Sequence, residues 1–311
     1  MIWQVNFIVP ENEFLPINVI VFTNGLTSTR QIFVIQCEFL IGTIYRTGFF
    51  ALFLLTCTLF MIKPYLNSIK YRLLARKGKA NRGYCSTCES NTWFIEEKPW
   101  LRDHYRCVIC GSIPRFRLLV KVLNDYFKGW EKLDIHESSP GGVSSKLIQK
   151  KCKNYSSSHY FEDVPRGEIK EGHRSEDLSA LTFADASFDL FITQDVFEHV
   201  MESEKAFKEI ARVLKPGGAH VFTMPWYPDL KENRRRATVQ NGEIIHLEEP
   251  MYHGNPISSK GSLVTIDWGI GFPDFIYQHS GMFTTIIKIK DRSLGLDAEF
   301  LEVFISRKPF K

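Results

Sequence analysis

This chain of 311 residues has no uncharged apolar run as long as the roughly 20 residues a membrane-spanning helix needs. It has little excess charge of one sign. The net charge is +4, which by itself does not argue for a polyanionic partner such as nucleic acid. It has no low-complexity tract and no internal repeat, which excludes disordered and solenoid architectures. Cysteine is sparse. Seven in 311 residues is too few for a secreted disulfide scaffold and points to a reducing compartment for the folded part. What remains is a globular composition, 44% hydrophobic and 24% charged, long enough for one α/β domain and a smaller module.

Residues 1–30 show no clear period. The segment from about 39 to 62 is far more apolar. Its densest part, Thr47–Ile62, has 16 residues and no charge, and the extension back to Phe39 takes in Arg46. Acids are then missing from the next 20 residues, which carry Lys63, Lys70, Arg72, Arg76, Lys77, Lys79 and Arg82. An apolar segment with a basic flank is the pattern of a single-pass anchor whose flank stays cytoplasmic. The expectation is therefore a membrane tether within an N-terminal segment, 1–82, with the rest of the chain on the cytoplasmic side. A buried helix, or a start at Met61, is the alternative.

Four of the cysteines form two close pairs, Cys85-x2-Cys88 and Cys107-x2-Cys110. Each C-x2-C turn presents two thiolates to one ion, and four thiolates make a closed tetrahedral zinc site. The spacing predicts a zinc ribbon over 83–113, with strands near Thr92–Glu96 and His104–Val108. A site closed by four sulfurs leaves no position for catalysis, so its Zn2+ is expected to be structural. Pro114–Phe127 has the pattern of an amphipathic helix leading into a main domain, 114–311.

Phe188–Thr193 is a short, nearly all-apolar run, as in a strand buried on both faces. Val196, Phe197, Val200, Phe207, Ile210, Ala211 and Leu214 follow at helical spacing. Pro216, Gly217 and Gly218 stop that pattern, and Ala219–Met224 reads as the next strand. Strand, helix, glycine turn and strand make a βαβ unit of a parallel sheet. The stretch DLSALTFADASFDLFITQDVFEHV followed by AFKEIARVLKPGGAHVFTMP closely resembles class I S-adenosylmethionine (SAM)-dependent methyltransferases of the type 11-like group. The resemblance extends over roughly Leu133 to the C-terminus. It implies an α/β, Rossmann-like sheet of seven strands with an antiparallel last strand, and SAM as cofactor.

The resemblance also implies site residues. Lys132–His136 is expected to be the first strand, ended by Glu137. Ser138–Gly142 form the following turn, and Glu137, Ser139, Pro140, Gly141 and Gly142 are expected to meet the cofactor there, where small residues let the backbone approach closely. Ser139 and Pro140 stand where the family has a glycine and a variable residue. The second strand, Ser157–Phe161, brings His159 to the position of the acid that meets the ribose, and an imidazole nitrogen also accepts a hydrogen bond. Asp177 and Leu178 match the pair that meets the adenine. Gln194 and Asp195, after the fourth strand, face the crevice near the methionine part of SAM.

The catalytic group is less legible. Glu198 and His199 are expected to begin the helix after the fourth strand, and His246 and His253 lie in a turn-rich segment. His199, His246 and His253 are therefore candidate bases. Lys231–Arg236 is a charged run whose default reading is a solvated face. Phe283–Lys290 and Phe300–Ser306 are expected to be two final strands. An Asn/Asp-Pro-Pro-aromatic motif is missing after the fourth strand, where the chain reads TQDV, which disfavours methylation of a nucleobase amino group. The expected activity is methyl transfer from SAM to a small molecule, sugar or glycan precursor. An RNA methyltransferase using the zinc ribbon, and a non-catalytic zinc-binding interaction protein, remain as alternatives.

Overall fold

The computed structural model describes residues 3–5, 17–19, 66–255 and 258–310. The apolar segment 39–62 lies outside the described residues, so the expected anchor does too. No helix among the described residues is long and apolar enough to cross a membrane. The chain divides into two units, Met1–Tyr65 and Leu66–Lys311. In the first, β1 (Trp3–Val5) pairs antiparallel with β2 (Ile17–Val19).

The second unit opens with helix α1 (residues 66–76) and a three-stranded antiparallel sheet of β3 (Ala80–Cys85), β4 (Ser90–Glu96) and β5 (Tyr105–Cys107). The short helix α2 (Leu101–His104) crosses between β4 and β5. Phe94 and Tyr105 fill the interior beside Cys85 and Cys107. Helix α3 (Pro114–Tyr126) follows, with proline in its first turn where the missing N–H is not needed.

The main sheet alternates with helices. In order these are β6 (Asp134–Ser138), α4 (Gly142–Lys151), β7 (Asn154–His159), β8 (Ile169–Lys170), β9 (His173–Ser175), β10 (Phe188–Gln194), α5 (Ser203–Val213) and β11 (Leu214–Thr223). An insertion then carries β12 (Arg234–Arg235), β13 (Ala237–Gln240), β14 (Glu243–His246), β15 (Tyr252–Asn255), β16 (Ser258–Leu263) and β17 (Ile266–Asp267). Helix α6 (Phe272–Ser280), β18 (Phe283–Ile287) and β19 (Val303–Arg307) complete it. The strand order is β18-β19-β11-β10-β6-β7-β9-β8. Strands β11, β10, β6, β7 and β9 are parallel, and β19 runs antiparallel between β11 and β18. The sheet has eight strands rather than the seven expected, because β8 adds an antiparallel edge to β9.

Alternation along each strand builds a core on both faces. Phe191, Phe222 and Phe304 face α5 and α6, in one cluster with Phe207, Ile210, Phe272 and Ile276. Leu190, Ile192, Val221 and Ile305 face the other way, with Leu119, Leu123 and Ile148 of α3 and α4.

Two expectations about the βαβ unit need correction. The helix does not run over 196–214. It begins at Ser203, and Val196–Glu202 is a series of turns that includes Glu198 and His199. The apolar residues there are packed by tertiary contact instead: buried Phe197 stacks on Phe207 with ring centroids 4.1 Å apart, and Val196 and Val200 pack half-buried against the same cluster. Helix α5 also ends at Val213, before the glycines. Leu214 already pairs with Phe188, and Lys215–Gly218 bulge out before pairing resumes at Ala219. The charged run is also less exposed than expected. Arg236 is buried, and with Arg234 it binds the buried Asp267 carboxylate at 3.0 and 2.6 Å.

The cysteine module is fastened to the sheet. Arg117 of α3 is fully buried, and its guanidinium donates to the carbonyls of Tyr105 (2.9 Å) and Gly295 (2.6 and 3.1 Å). Gly83 of β3 lies against the Ser293 carbonyl so closely that a Cβ there would stand 1.9 Å from its oxygen.

Candidate active site

A cleft of about 1320 Å³ opens at the carboxyl ends of the parallel strands, where ligands bind in sheets of this kind. Eight of the ten residues expected to meet the cofactor line it: Ser139, Gly141, Gly142, His159, Asp177, Leu178, Gln194 and Asp195. The sheet brings them together because each follows the end of a neighbouring strand.

The β6–α4 turn carries the required backbone. Ser139 (φ 55°) and Gly142 (φ 75°) are left-handed, and Gly141 is extended (φ −153°) at the N-terminus of α4. A side chain at Gly142 would strike the Phe116 ring, with a Cβ at 2.4 Å, whereas a Cβ at Gly141 would meet nothing within 4 Å among the described residues. Space beside Gly141 is what a turn cradling a ligand requires.

Glu137 and Pro140 are not part of the cleft lining. Glu137 is fully buried beneath the cleft. Its carboxylate accepts hydrogen bonds from Ser145 Oγ (2.7 Å), Gln194 Nε2 (2.7 Å) and Tyr155 OH (2.8 Å). Burial raises its pKa against these three bonds. Glu137 thus positions the turn and Gln194 rather than facing the ligand space. Gln194 also accepts from Ser144 Oγ at 2.9 Å, so its amide orientation is fixed from both sides.

His159 is buried to 5% exposure, and burial, aided by the nearby His173, pushes its pKa down to about 4. It is a neutral ring near pH 7 and offers an acceptor nitrogen. Asp177 uses one carboxylate oxygen to accept from the Ser179 N–H and hydroxyl (2.8 and 2.7 Å), which orders the loop. The neighbouring Glu176 is structural: it is buried, pairs with Arg174 at 2.6 Å and accepts from the Thr182 N–H at 2.9 Å.

Asp195 is left-handed (φ 53°) and lies between Arg102 (2.7 Å) and Arg115 (3.0 Å), with Thr223 Oγ1 donating at 2.9 Å. Burial alone would raise its pKa; the two guanidiniums and the hydroxyl overcome that and bring it to about 2. No local pattern marks Arg102 or Arg115. They reach the cleft from α2 and α3, so tertiary packing alone recruits them.

The candidate bases separate. His246 is exposed on β14 and is not among the residues lining the cleft. His199 and His253 line the cleft together, with ring centroids 5.1 Å apart, and the buried Glu198 lies beside both.

The cysteine cluster is compact. Cys85 Sγ and Cys110 Sγ are 3.8 Å apart, as are Cys88 Sγ and Cys107 Sγ, and all four sulfurs lie within 4.8 Å of one another. A zinc–sulfur bond of about 2.3 Å gives a tetrahedral edge of about 3.8 Å, so the cluster has the dimensions of a four-thiolate zinc site.

Residues 141–222 match the family model described as a methyltransferase domain. The matched segment runs from the β6–α4 turn to the end of β11 and contains seven of the eight cleft residues above. A dimethylglycine N-methyltransferase of Parasynechococcus marenigrum is 48% identical over 46 residues, 15% of this chain and 16% of that protein. An uncharacterized 37.1 kDa protein in a transposon of Streptomyces fradiae is 28% identical over 115 residues, 37% of this chain and 32% of that protein. The chain thus spans a third or less of the curated relatives it matches. Among solved structures, a SAM-dependent methyltransferase from Mesorhizobium loti is similar over 61% of this chain and 97% of its own, at 16% identity and a TM-score of 0.41.

Proposed function

We propose that this chain is a SAM-dependent methyltransferase acting on a small acceptor. The observation that carries the reading is the β6–α4 turn. Its left-handed residues and the open space at Gly141 lie beside His159 and Asp177 in one cleft, within the segment that matches the family model. Gly141 lets the backbone approach the cofactor, His159 accepts from a ribose hydroxyl, and Asp177 accepts from the adenine amino group. SAM supplies an electrophilic methyl group. The chain's task is to hold the acceptor in line with it and exclude water.

The cleft volume favours a small acceptor. About 1320 Å³ exceeds the roughly 300–1,000 Å³ of a site for one ligand, which leaves room for cofactor and acceptor side by side. Its charge disfavours RNA. The lining carries the carboxylates Asp103, Glu162, Glu176, Asp177, Asp195, Glu198 and Glu202 against the guanidiniums of Arg102 and Arg115. The same reading includes one structural Zn2+ on Cys85, Cys88, Cys107 and Cys110, supported by the spacing of their sulfurs.

Calorimetric titration of SAM into the zinc-loaded chain tests the reading, with Asp177→Ala beside the wild type. Binding by the wild type that weakens in the variant is expected. A folded, zinc-loaded chain that fails to bind SAM overturns it.

A further inference from the structure

The wall of the cleft holds a carboxylate that nothing in the methyl-transfer reading uses. Glu198 is 2% exposed, and neither of its carboxylate oxygens has a hydrogen-bond partner among the described residues. A buried charge without hydrogen bonds is strongly unfavourable unless a cation joins it. Arg102 lies within electrostatic range, but its guanidinium donates to Asp195 and to the Phe300 carbonyl.

Two imidazoles face the same carboxylate. His199 Nε2 is 3.7 Å and His253 Nδ1 is 3.8 Å from Glu198 Oε1. These separations are too long for hydrogen bonds. They are close to those of ligands sharing one ion, since bonds of about 2.0–2.2 Å set tetrahedral neighbours about 3.4 Å apart. The ligand atoms of all three residues lie within 4.8 Å of one another.

The surroundings orient the donors. His199 Nδ1 is 2.9 Å from the Leu263 carbonyl, so it carries the proton and leaves the Nε2 lone pair toward Glu198. A backbone carbonyl in that role is the usual outer support of a metal-bound histidine. The Thr265 N–H donates to the Glu198 carbonyl at 2.7 Å, which pins the turn bearing both residues.

We propose that Glu198, His199 and His253 form a binding site for one divalent transition-metal ion, open to the cleft. Two imidazoles and one carboxylate suit such an ion and leave coordination positions free. All three residues line the cleft, so those positions face the ligand space. Resting on the methyltransferase reading, the site selects acceptors with an oxygen donor, a hydroxyl or carboxylate that completes the coordination. This site is separate from the four cysteines, whose soft thiolates favour zinc.

The test is an electron paramagnetic resonance titration of Mn2+ into the full chain carrying a single equivalent of Zn2+, which the four thiolates take up first and which leaves the second site vacant. Mn2+ prefers oxygen and nitrogen donors and leaves the thiolate site to zinc. One equivalent is expected to leave the free-ion signal. Glu198→Gln and His253→Ala are each expected to weaken binding at least about tenfold. His253 is half-buried on β15, so its variant decides the matter if the Glu198 variant fails to fold. No Mn2+ binding, or binding unchanged in His253→Ala, overturns the proposal. S-adenosylhomocysteine binding, measured in parallel, separates the two readings. Its binding without Mn2+ binding sinks the metal site and leaves the methyltransferase. Mn2+ binding without it supports the metal site and sinks the methyltransferase.

Discussion

Arg102 of α2 donates to Asp195 at the end of β10 at 2.7 Å, across 93 positions of sequence. The bond ties the cysteine module to the strand end that forms the cleft floor. Arg115 of α3 reaches the same carboxylate oxygen at 3.0 Å.

Removal of Arg102 leaves a half-buried carboxylate with one cation in place of two. Arg102→Ala is expected to lower stability by about 3 kcal/mol at pH 7, read from urea denaturation. The pH dependence has a definite sign. The Asp195 pKa is lowered to about 2 in the fold. Its contribution is therefore complete above the unfolded carboxylate value near 4 and is lost as pH falls toward 2. The wild type should lose stability across that window, and Arg102→Ala should lose less. Equal slopes would remove the pair from the account.

Adjacent glycines should respond oppositely. Gly142→Ala places a Cβ against Phe116 at a left-handed position, and its melting temperature should fall, with a loss of at least about 1–2 kcal/mol. Gly141→Val meets open space in an extended conformation. It should melt like the wild type and lose SAM affinity in calorimetry. A Gly141→Val variant with unchanged affinity would contradict the turn's proposed role.

His159 should make SAM binding nearly independent of pH from 5.5 to 8, because the ring protonates only near pH 4. Loss of one acceptor bond in His159→Ala is expected to reduce affinity roughly tenfold, and His159→Glu to recover part of it. A fall in affinity through pH 6.5 would show that the ring titrates as an exposed histidine.

Elemental analysis should find zinc on the four cysteines, and Cys107→Ser should lose it. Because Arg102 belongs to the same module, chelation should also weaken SAM binding. Zinc loss without any effect on the cleft would argue that the module and the site act independently.

Much of this fold was legible because its signals are local. FDLFIT is apolar on both faces of a strand, and the structure buries Phe191 on one side of the sheet and Leu190 and Ile192 on the other. The β6–α4 turn was legible only through the family resemblance of the downstream stretch. The helix start was not: Val196, Phe197 and Val200 satisfy helical spacing, yet the chain buries Phe197 and half-buries the two valines from turns because Phe207 and the sheet supply the contacts. The burial of Glu137 was not legible for a similar reason. Its position next to the turn is shared by cleft-facing and buried orientations, and three hydrogen bonds from Ser145, Tyr155 and Gln194 select the buried one.

By itself the sequence determined the strand–helix–strand unit around Phe188–Met224, the two cysteine pairs and the residues at the strand ends, because periodicity and short motifs act over a few positions. Only the tertiary structure decided that Arg102 meets Asp195, that His246 stands outside the cleft, and that His253 joins Glu198 and His199. Those relationships depend on how distant segments pack, and a buried charge acts through space on whatever packing brings near it.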